Sequence, residues 1–170
     1  MLNSLAARLV AIAIAVLLVA ALIGVELLSG SSDSGAGRPA PQLPTSVLVP
    51  PAVHLSSLRG KPAAINFWAS WCGPCRREAP ELEQLSRSLH GSAAVVGVDW
   101  TDGLDSARAF IRQHDMTYPN LRDGNGVIGQ KYGLIGLPTT FIVDSHGTIN
   151  DVLRGPQTAQ TVRRALDAAG

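Results

Sequence analysis

The chain has 170 residues, with 14 Lys and Arg set against 13 Asp and Glu for a formal net charge of +1. That balance offers no basic patch or arm suited to nucleic acid, which is excluded as an expected partner. Hydrophobic residues reach 46%, but one apolar run near the N-terminus inflates the figure, and no internal repeat is visible.

In chain order, residues 1–8 form a short N-terminal start. From Leu9 to Val25 every residue is apolar, and Leu27 and Leu28 extend the run past Glu26. A helix over 9–28 would be about 30 Å long, the thickness of a bilayer core. Arg8 and the α-amino group precede the run, whereas Glu26 and Asp33 follow it. The positive-inside bias therefore puts residues 1–8 in the cytoplasm and the rest outside. A cleaved signal normally has a shorter apolar stretch. The expectation is an uncleaved single-pass anchor in the cell membrane, with a signal peptide as the alternative. Residues 29–50 are rich in Ser, Gly and Pro and read as a flexible linker. Residues 51–170 then remain for one extracytoplasmic domain.

Within that domain, Ala63 to Trp68 is a short buried strand. Pro74 to Leu89 reads as a helix with Leu82, Leu85 and Leu89 on one face, and Ala93 to Val98 as a second strand. Leu104 to His114 is a second helix, with Ala107, Phe110 and Ile111 in register. Alternating strand and helix imply parallel pairing with right-handed crossovers. Thr139 to Val143 and Thr148 to Leu153 flank a turn at Asp144 to Gly147 and read as a hairpin, and Thr158 to Ala169 closes the chain as a helix.

Both cysteines lie in Trp71-Cys72-Gly73-Pro74-Cys75. Residues three apart on a helix have Cβ atoms roughly 5–6 Å apart, and a disulfide needs about 3.5–4.5 Å, so a small tightening closes the ring. A structural bridge over so short a loop would remove little unfolded-chain entropy. A zinc site wants four ligands, and His54, His90, His114 and His146 form no ligand doublet. Redox chemistry at Cys72 and Cys75 is the reading favoured over metal binding or an inert structural bridge, with no resident metal or cofactor expected. An extracytoplasmic setting suits it, because that compartment lacks the reducing pool of the cytosol.

The stretch Ile65-Asn66-Phe67-Trp68-Ala69-Ser70-Trp71-Cys72-Gly73-Pro74-Cys75, followed by Tyr132-Gly133-Leu134-Ile135-Gly136-Leu137-Pro138-Thr139-Thr140-Phe141-Ile142-Val143-Asp144, resembles the thioredoxin superfamily and within it the membrane-tethered TlpA/ResA/CcmG-like branch. The resemblance runs from about Pro51 to the C-terminus. It implies a thioredoxin-like α/β fold, a central mixed sheet flanked by helices, here behind an N-terminal transmembrane helix. Cys72 looks like the nucleophile and Cys75 like the resolving thiol, with Pro138 matching the cis-proline of the family. Trp71, Gly73, Pro74 and Leu137 would border the bound substrate. Pro80 matches a proline that kinks the first helix. Asn66 stands where many cytoplasmic thioredoxins carry a buried Asp, and Glu78 matches an acidic position that tunes the thiols; a solvated helix residue is the other reading of Glu78.

The resemblance further implies an enzyme acting on protein cysteines or disulfides, such as those of apocytochrome c, recharged by a transmembrane electron carrier of CcdA/DsbD type. Gly73-Pro74 between the cysteines and the apolar Leu137 lean toward a reductant. A disulfide-forming oxidase is one alternative, and a copper chaperone drawing a third ligand from His114 or His146 is another. Trp100-Thr101-Asp102-Gly103 fits no pattern; it reads as a strand-to-helix loop with Asp102 as a cap, or as part of a substrate groove.

Overall fold

The computed structural model describes residues 35–170; the expected anchor at 9–28, the start at 1–8 and the first part of the linker lie outside them. Among the described residues no helix is long and apolar enough to cross a membrane. The architecture is built around strand β2 (Ala63–Trp68), whose residues are all buried because strands and helices cover it on every side. Its even-numbered side chains Ala64 and Trp68 join one apolar cluster, and its odd-numbered Ala63, Ile65 and Phe67 join another. This is the period of two of a strand with both faces covered.

Six strands form one sheet in the order β1 (Ser46–Val49), β4 (Asn120–Asp123), β3 (Ala94–Trp100), β2, β5 (Thr139–Val143), β6 (Ile149–Arg154). Strand β3 runs parallel to β2 and to β4, while β5 and β6 form the expected antiparallel hairpin beside β2. The sheet is therefore mixed. Helices α1 (Gly73–Ser88), α2 (Leu104–Gln113) and α4 (Ala159–Ala169) bring Leu82, Leu85, Phe110, Val162 and Leu166 into the cluster that also contains the two cysteines. The opposite face is covered by a 3₁₀ turn (Leu55–Leu58) and by Tyr132 of α3 (Val127–Tyr132), against Phe67 and Phe141.

The expected linker over 29–50 is corrected over its second part, and the domain begins before residue 51. Strand β1 (Ser46–Val49) pairs antiparallel with β4, and Ala40 and Leu43 are buried. Gly37 N–H donates to the Ile149 carbonyl at 2.7 Å, and Ile149 N–H donates to the Arg38 carbonyl at 2.9 Å. Arg38 also donates to the carbonyls of Lys131 and Tyr132, the last turn of α3, where a cation and donors are favoured. Composition pointed to a tether because it averages over Ser, Gly and Pro. A few apolar residues and one arginine with partners to meet are enough to order the segment.

Candidate active site

Strand β2 ends at Trp68, and the chain turns through Ala69-Ser70-Trp71 into α1. Cys72 caps that helix from an extended backbone position (φ −81°, ψ 103°), with Pro74 in the first turn, where a missing N–H costs nothing. Cys72 and Cys75 are joined as a disulfide, with an S–S distance of 2.01 Å and a Cα–Cα distance of 5.3 Å. The Cys75 N–H donates to Cys72 Sγ at 3.2 Å. Once the bond is reduced, the unpaired N–H groups and dipole of the helix start favour a thiolate at Cys72.

The peptide at Ser70, two residues before Cys72, is gripped on both sides. Its N–H donates to Asp102 Oδ2 at 2.6 Å, and its carbonyl accepts from the Arg76 guanidinium at 3.2 Å. Asp102 was expected to cap α2. Gly103 occupies the cap instead, and the Asp102 carboxylate accepts from Gly103 N–H at 2.7 Å while reaching back to the cysteine loop.

Strand β5 starts beside the end of β2, with Thr139 in register with Phe67, so the preceding Leu137–Pro138 segment lies at the edge of the sheet from which the cysteine loop departs. The Leu137–Pro138 bond is cis. Leu137 packs partly buried against both apolar clusters. Gly73 is exposed and Pro74 half-buried. Trp71 is 57% exposed and leans against Trp100 at 6.5 Å between ring centroids, and Ile135 is 80% exposed. Trp68, by contrast, is buried, stacks on Phe110 at 4.8 Å, and its indole N–H donates to Asn120 Oδ1 at 2.8 Å. Pro80 lies inside α1 and leaves the carbonyl of Arg76 without its helical donor.

Glu78, one turn beyond Cys75 on α1, is 1% exposed, so the solvated reading of this residue is overturned. Its Oε2 accepts from Asn66 Nδ2 at 2.9 Å and its Oε1 from Gln157 N–H at 3.0 Å. Asn66 also donates to Thr140 Oγ1 at 2.9 Å, so the residue standing in place of the familiar Asp holds the glutamate carboxyl. Burial pushes the Glu78 carboxyl up to about 7, against the opposing pull of Gln157 and Asn66. Gln157 had no signal in the sequence because it contributes a backbone N–H.

The histidines weighed as third copper ligands do not fare alike. His146 sits in the β5–β6 turn, at the end of β5 where Val143 pairs with Ala63, the far end of β2 from the cysteines. His114 packs against Phe110 at 4.4 Å. No group of three His, Cys, Asp or Glu side chains among the described residues is placed to hold a metal ion.

Comparison with known proteins gives a consistent result. The AhpC/TSA family model matches residues 36–152. The thioredoxin-like protein YneN of Bacillus subtilis (strain 168) is 37% identical over 134 residues, covering 77% of this chain and 78% of its own. The thiol-disulfide oxidoreductase ResA of Bacillus thuringiensis subsp. konkukian is 29% identical over 131 residues, covering 76% of each. Among solved structures, a thiol:disulfide interchange protein of the thioredoxin family from Chlorobium tepidum TLS superposes with a TM-score of 0.69 at 27% identity, over 78% of this chain and 95% of that one.

Proposed function

We propose, from the premise that this chain belongs to the AhpC/TSA family and is a thiol–disulfide oxidoreductase with a thioredoxin-like fold, that it works outside the membrane as a tethered reductant of protein disulfides. The observation that carries this reading is the Cys72–Cys75 disulfide at the start of α1, with a buried acid one turn away. In the reduced enzyme, the Cys72 thiolate attacks one sulfur of a substrate disulfide. The other substrate sulfur leaves as a thiolate and takes a proton, and Cys72 is left in a mixed disulfide. Cys75 gives up its proton to Glu78, attacks Cys72 Sγ and releases the second substrate sulfur as a thiol. Two electrons have then passed to the substrate, and the Cys72–Cys75 disulfide is restored.

Trp71, Gly73, Pro74, Leu137 and Pro138 border the substrate chain in this reading, with Trp71 and the neighbouring Ile135 offering it apolar surface. Residues 9–28 supply the membrane anchor. A membrane carrier of CcdA/DsbD type returns the protein to its dithiol form, since a reductant outside the cell has no soluble reductase beside it. Cysteines of apocytochrome c are the substrate class.

The test is the midpoint potential of the cysteine pair, equilibrated against dithiothreitol or glutathione buffers. A value near the about −270 mV of thioredoxin supports a reductant. One near the about −120 mV of DsbA makes the protein an oxidase and overturns the assigned direction. Cys72→Ser should abolish reduction of insulin disulfides, and protease added to intact cells should reach the thioredoxin-like domain.

A further inference from the structure

Behind the cysteine loop lies an acid that the reaction above does not use. Asp99, on β3 in register with Trp68 of β2, is fully buried, and neither of its carboxyl oxygens has a hydrogen-bond donor. Facing it are Asp102 from the β3–α2 loop and Arg122 and Asp123 from β4, while β2 brings Trp68. The arginine is the obvious partner for an ionised Asp99, but its Nε stands 3.6 Å from Asp99 Oδ2 and has no hydrogen-bond partner either. Its Nη2 donates instead to the backbone carbonyl of Asp102 at 2.6 Å. Asp123 Oδ2 accepts from Gly129 N–H at 2.7 Å. A buried carboxylate with no donor is costly, whereas a carboxylic acid needs only an acceptor. The acceptor that faces it is the Asp102 carboxylate, from the β3–α2 loop.

We propose that Asp99 and Asp102 share a proton, Asp99 holding it and Asp102 accepting it, and that this pair positions the loop leading to Cys72. Asp102 is the accepting member because two backbone N–H groups, from Ser70 and Gly103, already point at it. Asp99 is the neutral member because burial, the nearby negative charge of Asp102 and its hydrogen bond outweigh Arg122, pushing its carboxyl up to about 7. Thr101 sits between them at a φ of 51°, a backbone region unfavourable for a β-branched residue, and this turn brings Asp102 back toward Ser70. Both aspartates are positioning residues, since they act on the sulfur only through the Ser70 peptide.

Loss of the Asp99 proton sets two negative charges against each other and weakens the hold on Ser70 N–H. Arg76 alone then keeps that peptide in place. Attack by Cys72 therefore gains a pH dependence that belongs to neither thiol nor to Glu78. This inference rests on Cys72 as the attacking thiol.

The experiment uses the full chain carrying Cys75→Ser, which leaves Cys72 as the sole thiol, and Glu78→Gln, which removes the other acid titrating in the same range. Iodoacetamide alkylation is followed from pH 5 to 9, and the rate is divided by the thiolate fraction. With Asp99 present, the corrected rate should fall on the order of fivefold as pH passes through 7, the effect of one hydrogen bond. With Asp99→Asn added, whose amide still donates to Asp102 but cannot ionise, the step should vanish. A step that persists overturns the proposal. Infrared spectra of the same proteins decide independently of thiol reactivity: a protonated-carboxyl band at pH 5 must be present and must be lost with Asp99→Asn. Absence of the band overturns the pair. Should Cys75 rather than Cys72 prove the alkylated thiol in the otherwise native chain, the assignment of the nucleophile fails, and the band still decides whether the aspartates share a proton.

Discussion

Opposing influences meet at the Glu78 carboxyl. The Asn66 amide and the Gln157 N–H both stabilise the anion, whereas burial stabilises the acid, and burial is the larger effect. A group pushed up to about 7 is divided between its two forms near neutral pH, the condition under which it can take a proton from Cys75 and later return it. Glu78→Gln keeps the shape and one acceptor but cannot carry the proton. Release of a mixed disulfide formed at Cys72 should slow by about 100-fold, the low end for a positioned general base. The inflection near pH 7 in that step should also disappear. Stopped-flow measurement of release across pH checks both, and a profile identical to the parent protein removes Glu78 from the reaction. The resemblance pointed to this residue, but nothing in the sequence pointed to Gln157, since a backbone N–H can come from any residue except proline.

Helix and strand patterns were legible wherever a run was long and its apolar spacing regular. Strand β2 was expected at Ala63 to Trp68 and found there, and the helices expected at Pro74 to Leu89 and Leu104 to His114 are displaced by a residue or less at each end. Strands β1 and β4 have four residues each, with Asn120, Arg122 and Asp123 in the second, and helix α3 has six. Those segments take their conformation from tertiary partners, so their own pattern is silent. Gly97 in β3 was equally opaque. A glycine within a strand weakens it by roughly 0.5–1 kcal/mol relative to alanine, so Gly97→Ala should on that ground be favourable. The structure reverses the sign. A Cβ on Gly97 would collide with Asn120 Oδ1 and come within 2.9 Å of Trp68 Nε1, the two ends of the bond that ties β2 to β4 above it. Gly97→Ala should therefore cost about 2 kcal/mol, an ordinary overpacking penalty in a buried layer. Denaturant unfolding checks this. Adding Asn120→Ala should make the double variant less destabilised than the sum of the single ones, and simple additivity would show that the collision is not the cause.

Taken over the whole molecule, the buried acids set the pH at which the fold is most stable. In the oxidised protein the cysteines carry no ionisable thiol, and burial pushes Tyr118 and Tyr132 further above neutrality, so among the described residues the shifted groups that bear on acid and neutral pH are carboxyls and a histidine. Glu78 and Asp99 have folded values of about 7, well above their ordinary 4.5 and 3.8. Each holds a proton in the folded state that the unfolded chain has released, so each contributes stability that is complete at low pH and is lost as pH rises toward 7. His114 works in the opposite direction. Burial, followed by the Arg76 charge, lowers it from 6.5, so the unfolded chain takes up a proton there first. Between pH 4.5 and 6.5 two carboxyls act against one histidine, so at these groups the folded protein holds more protons than the unfolded chain. Below that window Glu83 takes over. Burial raises its carboxyl, but hydrogen bonds from Thr117 and Arg87 outweigh it and hold the group low, so its contribution is lost as pH falls. The oxidised chain should accordingly melt at a higher temperature at pH 5 than at pH 7.5. In the Glu78→Gln/Asp99→Asn double variant His114 is the shifted group left in the window among the described residues, and the order should invert. A parent protein that melts higher at pH 7.5 than at pH 5 would mean that these carboxyls are ionised in the fold, and that the proton balance drawn here has the wrong sign.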